Sequence, residues 1–272
     1  MSDFSGKLTF IDNPSRGFFI LKKACRNTEE PIYTDFYSHL SVYYILYLRW
    51  RVMKNIVHIF YIHQAEKLSD IVFQQFLLQL PIFFQTNIKA YKHWQSAQAS
   101  LVGKMILKYA LQQLQISATL HDIKISSKER PYINEEIDFN ISHSGDYIIC
   151  AISLTAKVGI DIEKHRKINI DLFKKYFNDD EWNEIQNASI PQQAFFDLWA
   201  IKESAIKCDG RGVEILSKTH KKYGSYHQIQ CDLNNLYYQP FMLLPQYSAC
   251  VCSTHLFQTH LTQLSISDLQ LL

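Results

Sequence analysis

Tyr147-Ile-Ile-Cys-Ala-Ile-Ser-Leu-Thr-Ala-Lys-Val-Gly-Ile-Asp-Ile-Glu163 sets two apolar runs end to end in the middle of the chain. The first, Tyr147–Leu154, reads as a strand joined to another, Glu136–Ile141, through the turn His143-Ser-Gly-Asp146. In the second, Val158, Ile160 and Ile162 alternate with Gly159, Asp161 and Glu163, which is the period of a strand. Asp161 and Glu163 therefore project from one face with Cβ atoms about 7 Å apart, close enough to converge on one hard cation. Gly159 leaves room for a close approach to the backbone. The plain alternative is a strand with a solvated outer face.

Outward from this centre, Ile56–Ile62 reads as a strand, Leu68–Leu80 as a helix and Ala97–Leu114 as a longer amphipathic helix. Downstream come a helical patch at Leu172–Phe177, a capped helix at Asp179–Gln186, and a long helix from Pro191 to Cys208. The last is ended by Asp209-Gly-Arg-Gly212. Short strands follow at Tyr226–Cys231, Leu236–Met242 and Ser248–Ser253. Each half runs strand, helices, strands. The fold class is α+β, and the element order predicts two similar halves related by a pseudo-twofold, 53–155 and 156–272. Residues 1–52 hold neither period and read as an atypical extension, with Met53 as the expected initiator.

The chain has 272 residues, 47% of them apolar and 20% charged, and a net charge of +2. That balance supplies no basic footprint for nucleic acid and no acidic excess of the kind that keeps a chain disordered. Cys25, Cys150, Cys208, Cys231, Cys250 and Cys252 are scattered without paired zinc spacing, so they read as small buried thiols in a reducing compartment. Leu40–Leu48 is about half of the ~20 residues a membrane helix needs, and no charged region leads into an apolar run at the start. The expected location is cytoplasmic, without membrane contact.

Three further stretches carry chemistry-bearing residues. Phe195-Phe-Asp-Leu-Trp-Ala-Ile-Lys-Glu-Ser-Ala-Ile-Lys207 puts Phe195, Trp199, Lys202 and Ile206 on one helical face, with Glu203 and Lys207 beside them. An i,i+4 surface pair explains Glu203 and Lys207 alone, whereas Lys202 inside the apolar stripe suggests a site. Phe139-Asn-Ile-Ser-His-Ser-Gly145 reads as a Ser/Gly turn holding His143. Lys128-Glu-Arg-Pro-Tyr132 is a basic, Pro-bent loop of a sort that meets phosphate.

Arg130-Pro131, Asn140-Ile-Ser-His-Ser144, Gly159-Ile-Asp-Ile-Glu163 and Trp199-Ala-Ile-Lys-Glu-Ser-Ala-Ile-Lys207 stand in this order. The set resembles the 4′-phosphopantetheinyl transferase superfamily, in its longer single-chain, surfactin-type branch. The resemblance runs from about Ile56 to about Leu264. It implies transfer of the phosphopantetheine arm of coenzyme A to a serine of an apo carrier protein, with release of adenosine 3′,5′-bisphosphate.

The same resemblance implies a Mg²⁺ held by Asp161, Glu163 and Glu203, in a cleft between the two halves. Glu203 is the implied base, acting directly or through water. Lys207 sits on the phosphates, Lys202 is a second phosphate or orienting group, and Ser142 and His143 contact coenzyme A. Arg130 helps to hold the adenine or 3′-phosphate end. Glu129 replaces the usual glycine of the first motif, and Ala99 stands where an arginine is usual, with Lys89, Lys92 and Lys104 nearby as substitutes. An internal repeat makes a monomer the expectation. Two other readings are a catalytically impaired carrier-protein or nucleotide-binding module, and a transition-metal site built from His143, Asp161 and Glu163.

Overall fold

In the computed structural model, which describes residues 9–11, 20–22, 55–223 and 227–272, the chain divides into two units. In the first, strands β1 (Thr9–Ile11) and β2 (Ile20–Lys22) pair antiparallel. The expectations for the rest of residues 1–52, and for Met53, lie outside the described residues.

The second unit is a mixed α+β fold built on two sheets. The first sheet contains β3 (Ile56–His63), β6 (Asp138–Ser144), β7 (Tyr147–Ser153) and β13 (Gln258–Leu264), in the order β13-β3-β7-β6. Helices α1 (Asp70–Leu77), α2 (Ile82–Lys89) and α3 (Trp94–Gln113) lie between β3 and β6 in the chain, followed by the short pair β4 (Lys124–Ile125) and β5 (Pro131–Tyr132). The sequence reads Leu68–Leu80 as one helix. The structure ends α1 at Leu77, and Pro81, which lacks an amide proton, serves as the N-cap of α2.

The second sheet runs β8-β12-β11-β10-β9, with β8 at Val158–Lys164, β9 at Thr219–Lys221, β10 at Gln228–Cys231, β11 at Asn234–Phe241 and β12 at Tyr247–Ser253. A 3₁₀ segment (Ile170–Tyr176) and helices α4 (Asp179–Gln186) and α5 (Pro191–Asp209) connect β8 to it. Asn178 and Glu181 cap α4 reciprocally, the sequence signature of a helix start. Gly210, at φ 87°, closes α5 in the left-handed conformation that glycine adopts without strain. In the second sheet the first strand, β8, pairs antiparallel with the last, β12, which pairs with β11; in the first sheet β3 pairs antiparallel with β7, which pairs with β6.

Strands β7 and β12 are buried at all seven positions, which is why both read as unbroken apolar runs. Ile148, Cys150 and Ile152 of β7 pack with Leu101, Val102, Met105 and Ile106 of α3. Its opposite face, Ile149 and Ala151, packs with Ile160, Ile162, Ala249 and Val251 of the second sheet. Cys250 and Cys252 face the other way, into a core shared with Phe195, Ile201 and Ala205 of α5. The five described cysteines are free and buried. β13, which the sequence does not announce, pairs parallel with β3 and carries the chain back to the first sheet. The last helix, α6 (Ile266–Gln270), follows it. No helix among the described residues is long and apolar enough to cross a membrane.

Candidate active site

Strand β8 and helix α5 meet backbone to backbone. A Cβ on Gly159 would lie 2.1 Å from the Ser204 carbonyl oxygen and 2.3 Å from the Cys208 nitrogen, so only glycine permits this approach. The close packing brings Asp161 of β8 against Lys207 of α5, with Nζ 2.5 Å from Oδ1. Ser142 of β6 completes a triangle, donating to the same Oδ1 at 2.9 Å and accepting from Lys207 Nζ at 3.1 Å.

A cavity of about 480 Å³ opens here, lined by Ser142, His143, Asp161, Glu163, Glu203 and Lys207. Its other wall is aromatic, from Phe173, Phe195, Phe196 and Trp199. Residues from two strands, β6 and β8, and one helix, α5, thus share one chamber. His143, which the sequence places in a turn, belongs to β6; the turn proper is only Gly145-Asp146.

The electrostatics are those of crowded carboxylates. Burial pushes the Glu203 carboxyl up to about 7, with Asp161 and Glu163 adding to the shift and Lys207 opposing it. Glu163 is raised as well, by burial and then by Asp161, although Arg166 holds its Oε2 at 3.0 Å. His143 is held below its ordinary value by loss of solvent around the ring and by Lys207 and Lys104. Asp161 Oδ2 is the one buried side-chain oxygen or nitrogen among the described residues that has no hydrogen-bond partner. An orphaned carboxylate oxygen beside two carboxyls of raised pKa fits a divalent cation, which would satisfy the first and discharge the others.

Among the described residues, no group of three or more His, Cys, Asp or Glu is arranged to hold a metal by itself. The three carboxylates of the chamber are therefore not pre-arranged as a complete cage, and Mg²⁺ ordinarily draws much of its shell from water and phosphate oxygen. His143 shares the chamber, but neither it nor any other His or Cys makes a transition-metal cluster with Asp161 and Glu163.

Two expected site residues lie elsewhere. Lys202 is fully buried, 2.9 Å from Glu181 Oε2 and bonded to the Thr219 carbonyl, and it does not line the cavity. One residue along a helix is about 100° of rotation, so Lys202 and Glu203 face different surroundings. The lysine in the apolar stripe marks a buried ion pair of the core. Arg130 likewise does not line this cavity. It grips both oxygens of Asp138 at 2.7 Å and donates to the carbonyls of Val158 and Lys207 at 2.9 and 3.1 Å.

Ala99, the usual arginine position, is packed into the core of the first sheet. Lys104 stands with Ser100 and Tyr91 around a second cavity of about 220 Å³, which His143 also lines. Its ammonium bonds Ser100 at 3.0 and 3.2 Å and lies over the Phe84 ring, and burial lowers its pKa to about 8. Sequence reasoning missed Arg166, Glu181 and the polar neighbours of Ser142 on β6, Asp138, Asn140 and Ser144. The β6 residues had a visible signal, a polar side chain at every second position of a strand.

Comparison with known proteins follows the same residues. The family described as the 4′-phosphopantetheinyl transferase superfamily matches residues 157–260, and the one described as 4′-phosphopantetheinyl transferase, N-terminal, matches 69–155. The 4′-phosphopantetheinyl transferase gsp of Aneurinibacillus migulanus is 34% identical over 189 residues, covering 66% of this chain and 77% of the relative. The 4′-phosphopantetheinyl transferase Sfp of Bacillus subtilis (strain 168) is 29% identical over 193 residues, 66% of this chain and 85% of the relative. The L-aminoadipate-semialdehyde dehydrogenase-phosphopantetheinyl transferase of Rattus norvegicus is 31% identical over 135 residues, 43% and 44% of the two chains. Because the matched segments include strands of both sheets and every strand and helix that contributes a carboxylate or lysine to the cavity, and a relative 34% identical is covered over 77% of its length, the chain belongs to the 4′-phosphopantetheinyl transferase superfamily, in its surfactin-type branch.

Proposed function

We propose that the protein transfers the 4′-phosphopantetheine arm of coenzyme A to a serine hydroxyl of an apo carrier protein of acyl, peptidyl or aryl type. Adenosine 3′,5′-bisphosphate is the second product. The observation that carries the reading is the buried, unpartnered Asp161 Oδ2, on a residue that lines one chamber with Glu163, Glu203 and Lys207.

Asp161, Glu163 and Glu203 are the residues that would hold Mg²⁺. Bound there, the ion supplies Lewis acidity to the pyrophosphate and charge neutralisation to the departing bisphosphate. The chain's own groups do the rest. Lys207, already 2.5 Å from Asp161, offers a fixed ammonium to the phosphate oxygens. Ser142 and His143 flank it on β6 and contact the phosphates of coenzyme A.

Glu203 takes the proton of the incoming serine, directly or through a water; a carboxylate that also holds the cation is a weak base, which favours the water route. The serine oxygen then bonds to phosphorus while the phosphoanhydride bond to the bisphosphate breaks. Lys104, beyond His143, replaces the missing arginine at the far phosphate end of coenzyme A. The protein acts as a cytoplasmic monomer.

The test is mass spectrometry of apo carrier proteins incubated with the protein, Mg²⁺ and coenzyme A. A mass gain of one phosphopantetheine arm, lost when the metal is chelated, is the expected result. No gain on acyl, peptidyl or aryl carriers overturns the reading.

A further inference from the structure

Strands β6 and β8 lie side by side as edges of different sheets, with no main-chain ladder between them. An edge strand carries a row of amide protons that must be satisfied when buried. Here side chains satisfy three of them. Val158 N–H donates to Asp138 Oδ2 at 2.7 Å, Ile160 N–H to Asn140 Oδ1 at 2.9 Å, and Lys164 N–H to Ser144 Oγ at 3.0 Å. The remaining member of the series, Ser142, turns its hydroxyl to Asp161. At one end of the seam Arg130 ties Asp138 of β6, the Val158 carbonyl of β8 and the Lys207 carbonyl of α5 together.

A main-chain ladder can slip by two residues and remain bonded, because every step is alike. This seam has unlike teeth. Asp and Asn reach one bond further than Ser, and Asp138 alone is also held by Arg130, so the positions are not interchangeable, and in the register observed Ser142 and Lys207 both meet Asp161. We infer that Asn140, Asp138 and Ser144, with Arg130 as the clamp, are positioning residues that aim Asp161 and Lys207 into the cavity. The inference rests on the function proposed above, and it gives Arg130 a different task from gripping coenzyme A. Outer groups that orient metal ligands change affinity or turnover by about 10- to 100-fold when removed.

The test compares Asn140→Leu, which keeps the shape and removes the acceptor, with Asn140→Asp, which keeps the acceptor, and with Arg130→Met paired with Asp138→Leu. Mn²⁺ affinity is read by electron paramagnetic resonance, without turnover, beside kcat and KM for coenzyme A. Asn140→Leu and the Arg130/Asp138 double variant are expected to bind Mn²⁺ about tenfold more weakly and to lose about tenfold in kcat. KM for coenzyme A should stay unchanged, and Asn140→Asp should restore both losses. Should Asn140→Leu fail to fold, Ser144→Ala is judged on the same measurements. Wild-type Mn²⁺ affinity in the folded variants, a change in KM alone, or no rescue by Asn140→Asp overturns the inference. Because metal affinity is measured without the reaction, an inactive wild-type protein would sink the proposed function while leaving this test intact.

Discussion

Helix α5 carries two lysine–carboxylate pairs only five residues apart, and they are built to opposite ends. Lys202 and Glu181 are both fully inaccessible, and every charged atom is spoken for: the Thr219 carbonyl bonds the ammonium, while Lys221 N–H and the His220 ring bond the carboxylate. Lys207 and Asp161 are just as close, yet the lysine side chain is 28% exposed and one Asp161 oxygen has no partner. A closed, saturated pair has nothing left to offer a ligand. A part-exposed pair with an unpartnered oxygen, on residues that line a cavity, does. Satisfaction of hydrogen bonds, more than burial or charge, separates the lysine of the core from the lysine of the site.

That contrast is most sharply tested by removing one charged partner from each pair. Asp161→Ala is expected to cost three orders of magnitude or more in carrier labelling, roughly 4 kcal/mol of barrier, with an unchanged melting temperature. Labelling within about tenfold of wild type would end the assignment of the metal site. Lys202→Met should do the reverse. Leaving Glu181 buried without its cation should cost about 3–5 kcal/mol of stability in denaturant melts, while the folded fraction keeps its turnover. Pairing it with Glu181→Leu should recover most of the loss, and no recovery would show that the pair is not the cause.

Gly159→Ala probes the contact that sets the open pair. The added methyl meets the backbone of Ser204 and Cys208, which cannot swing aside as a side chain can, so a loss of about 3 kcal/mol and of labelling together is expected. A stable, active Gly159→Ala would mean that β8 and α5 tolerate separation.

A smaller effect comes from protons. In the metal-free protein Glu203 titrates near 7 when folded and near its ordinary value of 4.5 when unfolded. Between these values the folded state binds more protons, so stability should fall as pH rises from about 4.5 to about 7. After allowance for solvent screening the drop is about 2 kcal/mol, and Mg²⁺ should raise the melting temperature more at pH 8 than at pH 5. Thermal melts of wild type and Glu203→Gln check it; an identical pH slope in the two would remove Glu203 as the source. Smallest of all, Lys207→Ala should raise KM for coenzyme A by about tenfold, and an unchanged KM would take Lys207 off the phosphates.

The parts of the site that local periodicity can express were legible in the sequence. Period two set Asp161 and Glu163 on one face of β8, and the i,i+4 spacing set Glu203 beside Lys207 on α5, because backbone geometry alone dictates which side chains are neighbours within one element. Lys202 was misread for the same reason. Its helical face was plain, but the carboxylate it meets, Glu181, sits 21 residues away on another helix.

The α+β character, the strands β7, β8 and β12, and helix α5 with its glycine stop were likewise written in the chain itself, since burial on both faces and capping leave local marks. Only tertiary structure could decide that polar Gln258–Leu264 becomes a strand, because its hydrogen bonds are supplied by β3, far earlier in the chain at Ile56–His63. The same holds for the seam from Asp138 to Ser144 and for the vacant oxygen of Asp161. Whether a polar atom finds a partner is a property of what folds against it, and no spacing along one segment contains that information.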